Sequence, residues 1–158
     1  MILSGKSIER EGLIIPHVPR TVQNGKSYGQ SYAGYDIRIK QGFVLGRDRG
    51  FTLASSIEEF NMRPDTLGVV HDKSTWARKG LSVFNTVIEP GWKGFLTLEL
   101  VYHGDELLQI EAGDPIAQVV FHKVDDDAYY NGKYQNQPDR PVEALAEQVT
   151  QDNYPFSS

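Results

Sequence analysis

Short apolar runs, each closed within a few residues by glycine or proline, constrain this chain more than any other feature. Fifteen glycines and eight prolines are spread over 158 residues, so turns recur too often for long helices. Tyr35-Asp36-Ile37-Arg38-Ile39 alternates as a strand does, and Leu81-Ser82-Val83-Phe84 is a short apolar run. Phe95 to Tyr102 is the strongest strand segment. Leu107 to Ile110 and Ile116 to Phe121 follow, parted by Glu111-Ala112-Gly113-Asp114-Pro115 as a turn. Two short helices are expected. Ser4 caps one through Ile8-Glu9-Arg10, and a second runs from about Pro141 to Val149, with Val142, Leu145 and Val149 on one face. There is no internal repeat, and Gln151 to Ser158 reads as a loose tail. The chain reads as one mostly-β domain over residues 1–158, a barrel or a sandwich.

Composition removes several classes of function. No cysteine is present, which excludes a disulfide scaffold, a thiol nucleophile, an iron–sulfur cluster and any zinc site with a Cys ligand. Sixteen basic against 21 acidic residues leave a formal charge of −5. That balance argues against a nucleic-acid coat or a membrane-surface binder. No apolar run approaches the ~20 residues of a membrane span, and Met1-Ile2-Leu3-Ser4-Gly5-Lys6 lacks the apolar core of a secretory signal. A soluble, cytoplasmic protein is the expectation. His17, His71, His103 and His122 lie far apart with no paired spacing, so they read as surface or strand-edge residues rather than metal ligands.

Three segments carry candidate chemistry. In the strand 95–102, Phe95, Thr97, Glu99 and Val101 share a face opposite Leu96, Leu98, Leu100 and Tyr102. Glu99 therefore stands either at a water-facing spot or in a pocket where desolvation lifts its pKa toward that of a general base. Lys73-Ser74-Thr75-Trp76-Ala77-Arg78-Lys79-Gly80 sets two hydroxyls among three cations. It suits phosphate or oxyanion binding, or is simply a solvated turn; it is not a P-loop, because the glycine and Gly-Lys-Ser/Thr order is missing. Glu89-Pro90-Gly91-Trp92-Lys93-Gly94 is a tight turn. It either presents Glu89 and the Trp92 ring to a sugar or tucks the ring against the barrel.

Six ordered blocks together resemble the dCTP deaminase family of the trimeric dUTPase superfamily. They are Met1-Ile2-Leu3-Ser4 with Ile8, Ser31 to Arg38, Lys73 to Gly80, Ile88 to Glu99, Gly113 to Gln118, and Gly132 to Gln137. The resemblance covers about residues 1–137. It implies a distorted all-β barrel that assembles as a homotrimer, with active sites shared between subunits. Glu99 matches the family's catalytic glutamate. Ser74 and Arg78 match residues that hold triphosphate or order the catalytic water, and Glu89 matches an acidic group on the deoxyribose 3′-hydroxyl. Gln118, Lys133 and Gln137 match positions that grip the nucleotide, the last two in a closing C-terminal segment. Tyr129 and Tyr130 both stand where relatives carry a tyrosine, and Tyr130 takes the assignment. Lys73, Thr75, Trp76, Ala77, Trp92, Thr97 and Leu98 complete the implied substrate contacts. The chain departs from its relatives by being shorter between residues 40 and 70 and from Phe121 to Gly132, and in the ending Pro138-Asp139-Arg140.

The implied reaction is dCTP plus water giving dUTP plus ammonia. Zinc-type nucleobase deaminases need a His/Cys/Cys or Cys₃ site, which a cysteine-free chain lacks, so Glu99 itself would activate the water. Mg²⁺ would arrive with the triphosphate. The rivals are a dUTPase or bifunctional deaminase that releases pyrophosphate, and a non-catalytic nucleotide-binding trimer.

Overall fold

The structure, a computed structural model, describes residues 1–146. In chain order the strands are β1 (Ile14–Ile15), β2 (Thr21–Gln23), β3 (Lys26–Gln30), β4 (Tyr35–Arg38), β5 (Phe43–Leu45), β6 (Phe51–Asn61), β7 (Thr66–Asp72), β8 (Leu81–Val83), β9 (Val87–Ile88), β10 (Lys93–Tyr102), β11 (Leu108–Ile110) and β12 (Pro115–Lys123). Helix α1 (Gly5–Arg10) precedes them and α2 (Ser74–Ala77) lies between β7 and β8. Three antiparallel sheets form, ordered β2-β3-β4-β12-β7-β9, β1-β6-β10-β8 and β11-β5. The isolated bridge Ile39↔Ser56 ties the first sheet to the second.

Alternation explains where the core sits. Leu98 and Leu100 on β10, Ile37 on β4 and Val119 and Phe121 on β12 are fully buried, around Tyr35 and Phe60. Burial pushes the Tyr35 hydroxyl up to about 12. That hydroxyl accepts from Val18 N–H at 3.1 Å and donates to the Pro16 carbonyl at 3.3 Å, so it serves as a structural tie.

Ser4 caps α1 as expected, its hydroxyl accepting from the Ser7 N–H at 3.2 Å. The expected C-terminal helix does not form over residues 141–146, which hold no regular secondary structure. The Val142 N–H donates to Thr97 Oγ1 at 3.0 Å and the Leu145 N–H to the Tyr134 hydroxyl at 3.1 Å. Donors aimed at other elements are not available to a helical ladder. The rest of that expected helix, and the tail from Gln151, lie outside the described residues.

Candidate active site

The register of β10 builds the site. Glu99 pairs with Leu53 and Val101 with Phe51 across β6, which places two apolar side chains beside the glutamate on its own face. That face opens into a cavity of about 540 Å³ lined by Phe51, Leu53, Asn85, Glu89, Trp92, Leu96, Thr97, Glu99, Tyr130 and Gln137, among others. Glu99 is half-buried there. Loss of hydration raises its carboxyl pKa above the ordinary value, with no other cause opposing it. The pocket alternative for Glu99 is thus the one that the fold realises.

The cavity is closed on one side by the C-terminal segment, which runs as a strap along the start of β10. Phe95 N–H donates to the Gln137 carbonyl at 3.0 Å. The Gln137 amide donates to the Phe95 carbonyl at 2.8 Å and to Thr97 Oγ1 at 2.7 Å. Trp92 Nε1 donates to the Tyr134 carbonyl at 2.6 Å, and Lys93 N–H to Gln135 Oε1 at 2.7 Å. Gly94 lets the strap approach: a Cβ there would stand 2.6 Å from Gln137 N, and its φ of 146° is a conformation L side chains rarely adopt. The Glu89–Trp92 turn forms, with the Trp92 N–H on the Glu89 carbonyl at 3.1 Å and Gly91 at φ 79°.

The α2 segment is built differently. Trp76 is its anchor, 4% exposed, with Nε1 donating to the Pro115 carbonyl at 2.6 Å. The Lys26 and Lys79 ammonium groups each lie 5.3 Å from its ring centre. Lys73 pairs with Asp36 at 2.9 Å. Ser74, Thr75, Ala77 and Arg78 face outward and are exposed, and none of them lines the Glu99 cavity. Among the described residues, no three His, Asp or Glu side chains gather to hold a metal ion. No helix among them is long and apolar enough to cross a membrane.

Residues 35–124 match the family described as dCTP deaminase-like. The chain belongs to this family. It is 34% identical over 165 residues to a dCTP deaminase of Campylobacter concisus, covering 83% of this chain and 88% of that one. A dCTP deaminase of Helicobacter pylori (strain G27) is 33% identical over 162 residues, covering 80% and 86%. Solved structures share the fold at lower identity. A dUTPase from phage phi11 of S. aureus superposes with a TM-score of 0.56 at 15% identity over 74% of this chain and 90% of that one. EIAV dUTPase gives 0.53 at 18% over 63% and 82%.

Against the contacts that family resemblance implies, the chain divides its residues in two. Glu89, Trp92, Thr97, Glu99, Tyr130 and Gln137 share one cavity. Tyr130 lines it, whereas Tyr129 is 73% exposed. Lys73, Ser74, Thr75, Ala77 and Arg78 stand on or beside α2, outside that cavity, as does Gln118 on β12, opposite Asp36 and His71. Leu98 is fully buried on the core side of β10 and does not line the Glu99 cavity, since neighbours along a strand face opposite ways. Trp76 and Trp92 are both core residues at 4% and 6% exposure; the Trp92 ring packs 6.3 Å from Phe60 and only helps to wall the cavity. Lys133 is exposed, its ammonium 5.3 Å from the Tyr134 ring centre. Two cavity residues, Asn85 and Tyr134, carry no local signal in sequence: each enters through a long-range contact.

Proposed function

We propose that this chain converts dCTP and water to dUTP and ammonia in the cytoplasm, with Glu99 moving the protons. The observation that carries the reading is a desolvated carboxyl group on a cavity wall, facing Leu53 and Phe51, in a member of the dCTP deaminase-like family. The carboxylate takes a proton from water, the oxygen bonds to C4 of cytosine, and the proton passes to N3. The tetrahedral centre then collapses, the C4–N bond breaks, and the amine leaves with a proton returned through Glu99 as ammonia. General acid/base work of this kind contributes roughly 10²–10⁴-fold.

Ser74 and Arg78 order the water and meet developing charge in this scheme. Because they lie outside the Glu99 cavity of their own chain, another copy delivers them, and the active unit is a homotrimer with shared sites. Lys73, Thr75, Arg78 and Lys133 hold the triphosphate, and Glu89 the sugar hydroxyl. Mg²⁺ travels on the phosphate oxygens and their water. Neither nucleic acid nor membrane is a partner.

One observation favours a second reading. Glu89 lines the same cavity as Glu99, and a carboxylate there could direct water to the α-phosphate, releasing pyrophosphate. Incubation of the purified protein with dCTP and, separately, with dUTP, followed by ion-exchange separation, decides between them. dUTP as the sole product means deaminase. dUMP from both substrates means both activities on one chain, and dUMP from dUTP alone means dUTPase. No conversion of either leaves a nucleotide-binding trimer.

A further inference from the structure

We propose that Asn85 is a positioning residue that fixes the direction in which Glu99 presents its carboxyl group. Along β10 the peptide groups of residues 97, 99 and 101 point to the β8 edge, those of 98 and 100 to β6. Strand β8 covers that edge only in part, pairing Leu81↔Tyr102, Ser82↔Val101 and Val83↔Leu100. One further backbone bond, Phe84 N–H to the Glu99 carbonyl at 2.8 Å, ends the ladder. The chain then leaves toward β9.

Asn85 carries the pairing on with its side chain. Its Oδ1 accepts from the Glu99 N–H at 2.9 Å and its Nδ2 donates to the Thr97 carbonyl at 2.6 Å. A carboxamide offers the same planar donor and acceptor as a peptide, so Asn85 stands in for the missing strand residue beside Glu99. Without it the Glu99 N–H and Thr97 carbonyl would face the cavity edge with no protein partner. On the opposite edge β6 pairs in register from Thr97↔Ser55 through Glu99↔Leu53 to Val101↔Phe51, so the β8 edge is the one that Asn85 completes.

Both polar atoms of Asn85 thus engage β10, although the residue lines the cavity, which favours positioning over substrate contact. A misplacement of about 1 Å at a reacting group can cost 10²-fold in rate. The inference rests on the proposed proton-transfer role of Glu99.

A double-mutant cycle tests it: Asn85→Ala, Glu99→Gln and the pair, with steady-state kinetics on dCTP. Asn85→Ala is expected to lower kcat by about 10–100-fold with KM within about threefold. In the Glu99→Gln background the same change should cost less than about twofold, since there is no base left to aim. Equal losses in both backgrounds, or a raised KM with kcat unchanged, would overturn the inference and leave Glu99 in place. Wild-type kcat in Glu99→Gln would instead overturn the proton-transfer role, and this inference with it. If Asn85→Ala fails to fold, Asn85→Asp carries the cycle. It keeps the size and the acceptor for Glu99 N–H but loses the donor to Thr97, so the same pattern of kcat loss is expected, smaller in size.

Discussion

The β10 cavity and the α2 segment use their surroundings in opposite ways. Glu99 sits on a long strand whose other face is core, beside Leu53 and Phe51, with burial acting on its charge. Ser74 and Arg78 sit on a single helical turn pinned by one buried tryptophan, with their polar groups in solvent. A proton carrier needs a carboxylate whose neutral form is within reach, which requires loss of water. A phosphate-binding group needs a charge that is always present and free to meet an anion. One chain can supply both environments only by placing them on different parts of its surface.

Glu99→Gln should give the largest effect: a fall in kcat of at least ~10²-fold with dCTP affinity within a few-fold, read by kinetics and calorimetric titration. A solvent-facing glutamate would instead leave kcat unchanged. Arg78→Ala should weaken both affinity and turnover, each by about tenfold, as loss of a charge-assisted contact does. If the two regions meet only between copies, the two impaired variants should complement each other. Trimers assembled at random from equal amounts of Glu99→Gln and Arg78→Ala chains would carry both native residues in about a quarter of all sites, and co-expression followed by assay measures that fraction. No recovery would place both residues in a site made by one chain.

Smaller effects test the cavity wall itself. Thr97→Val keeps the shape but removes the acceptor for Gln137 and Val142. Stability should fall by about 1–2 kcal/mol, and amide exchange of residues 134–142 should quicken while α2 is unaffected. The smallest effect concerns pH. Glu99 has a raised pKa in the folded chain, so folding favours its neutral form. Its contribution to stability is fully present below the ordinary value of 4.5 and is lost as pH rises through the raised value. Glu99→Gln should therefore melt higher than the parent at neutral pH, by no more than about 2–4 °C, and lose that advantage in acid. A variant that melts lower at pH 7 would show that the carboxylate stabilises the fold.

Much of the β framework was legible because its strands alternate. β4, β8, β10, β11 and β12 follow apolar periodicity, and α1 follows its serine cap. The longest strand, β6, was not. Thr52, Ser55, Ser56 and Glu58 are buried on it, and polar residues in the core erase the pattern that would mark a strand. Their partners come from afar: Gln41 bonds Ser55, and Arg38 N–H and Nε each reach Glu58 at 2.9 Å. The β2–β3 hairpin also went unread, although its turn at Asn24-Gly25, with left-handed φ values of 53° and 72°, is a tight-turn pair. The residues from Pro141 had the spacing of a helix, yet 141–146 form none, because Thr97 and Tyr134 claim the N–H groups of Val142 and Leu145.

By itself, the sequence determined what is local: which segments alternate, where turns fall, that Glu99 shares a face with Thr97, and that cysteine chemistry is absent. The tertiary structure decided what depends on partners distant in the chain. It chose the desolvated setting of Glu99 by pairing it with Leu53, set Tyr130 rather than Tyr129 at the cavity, and withdrew Trp76 into the core. It also left Arg78 outside the cavity that Glu99 lines. Periodicity reports which way a side chain points relative to its neighbours. Only the packing of strands from elsewhere in the chain decides whether water, apolar groups or a hydrogen-bond partner waits there.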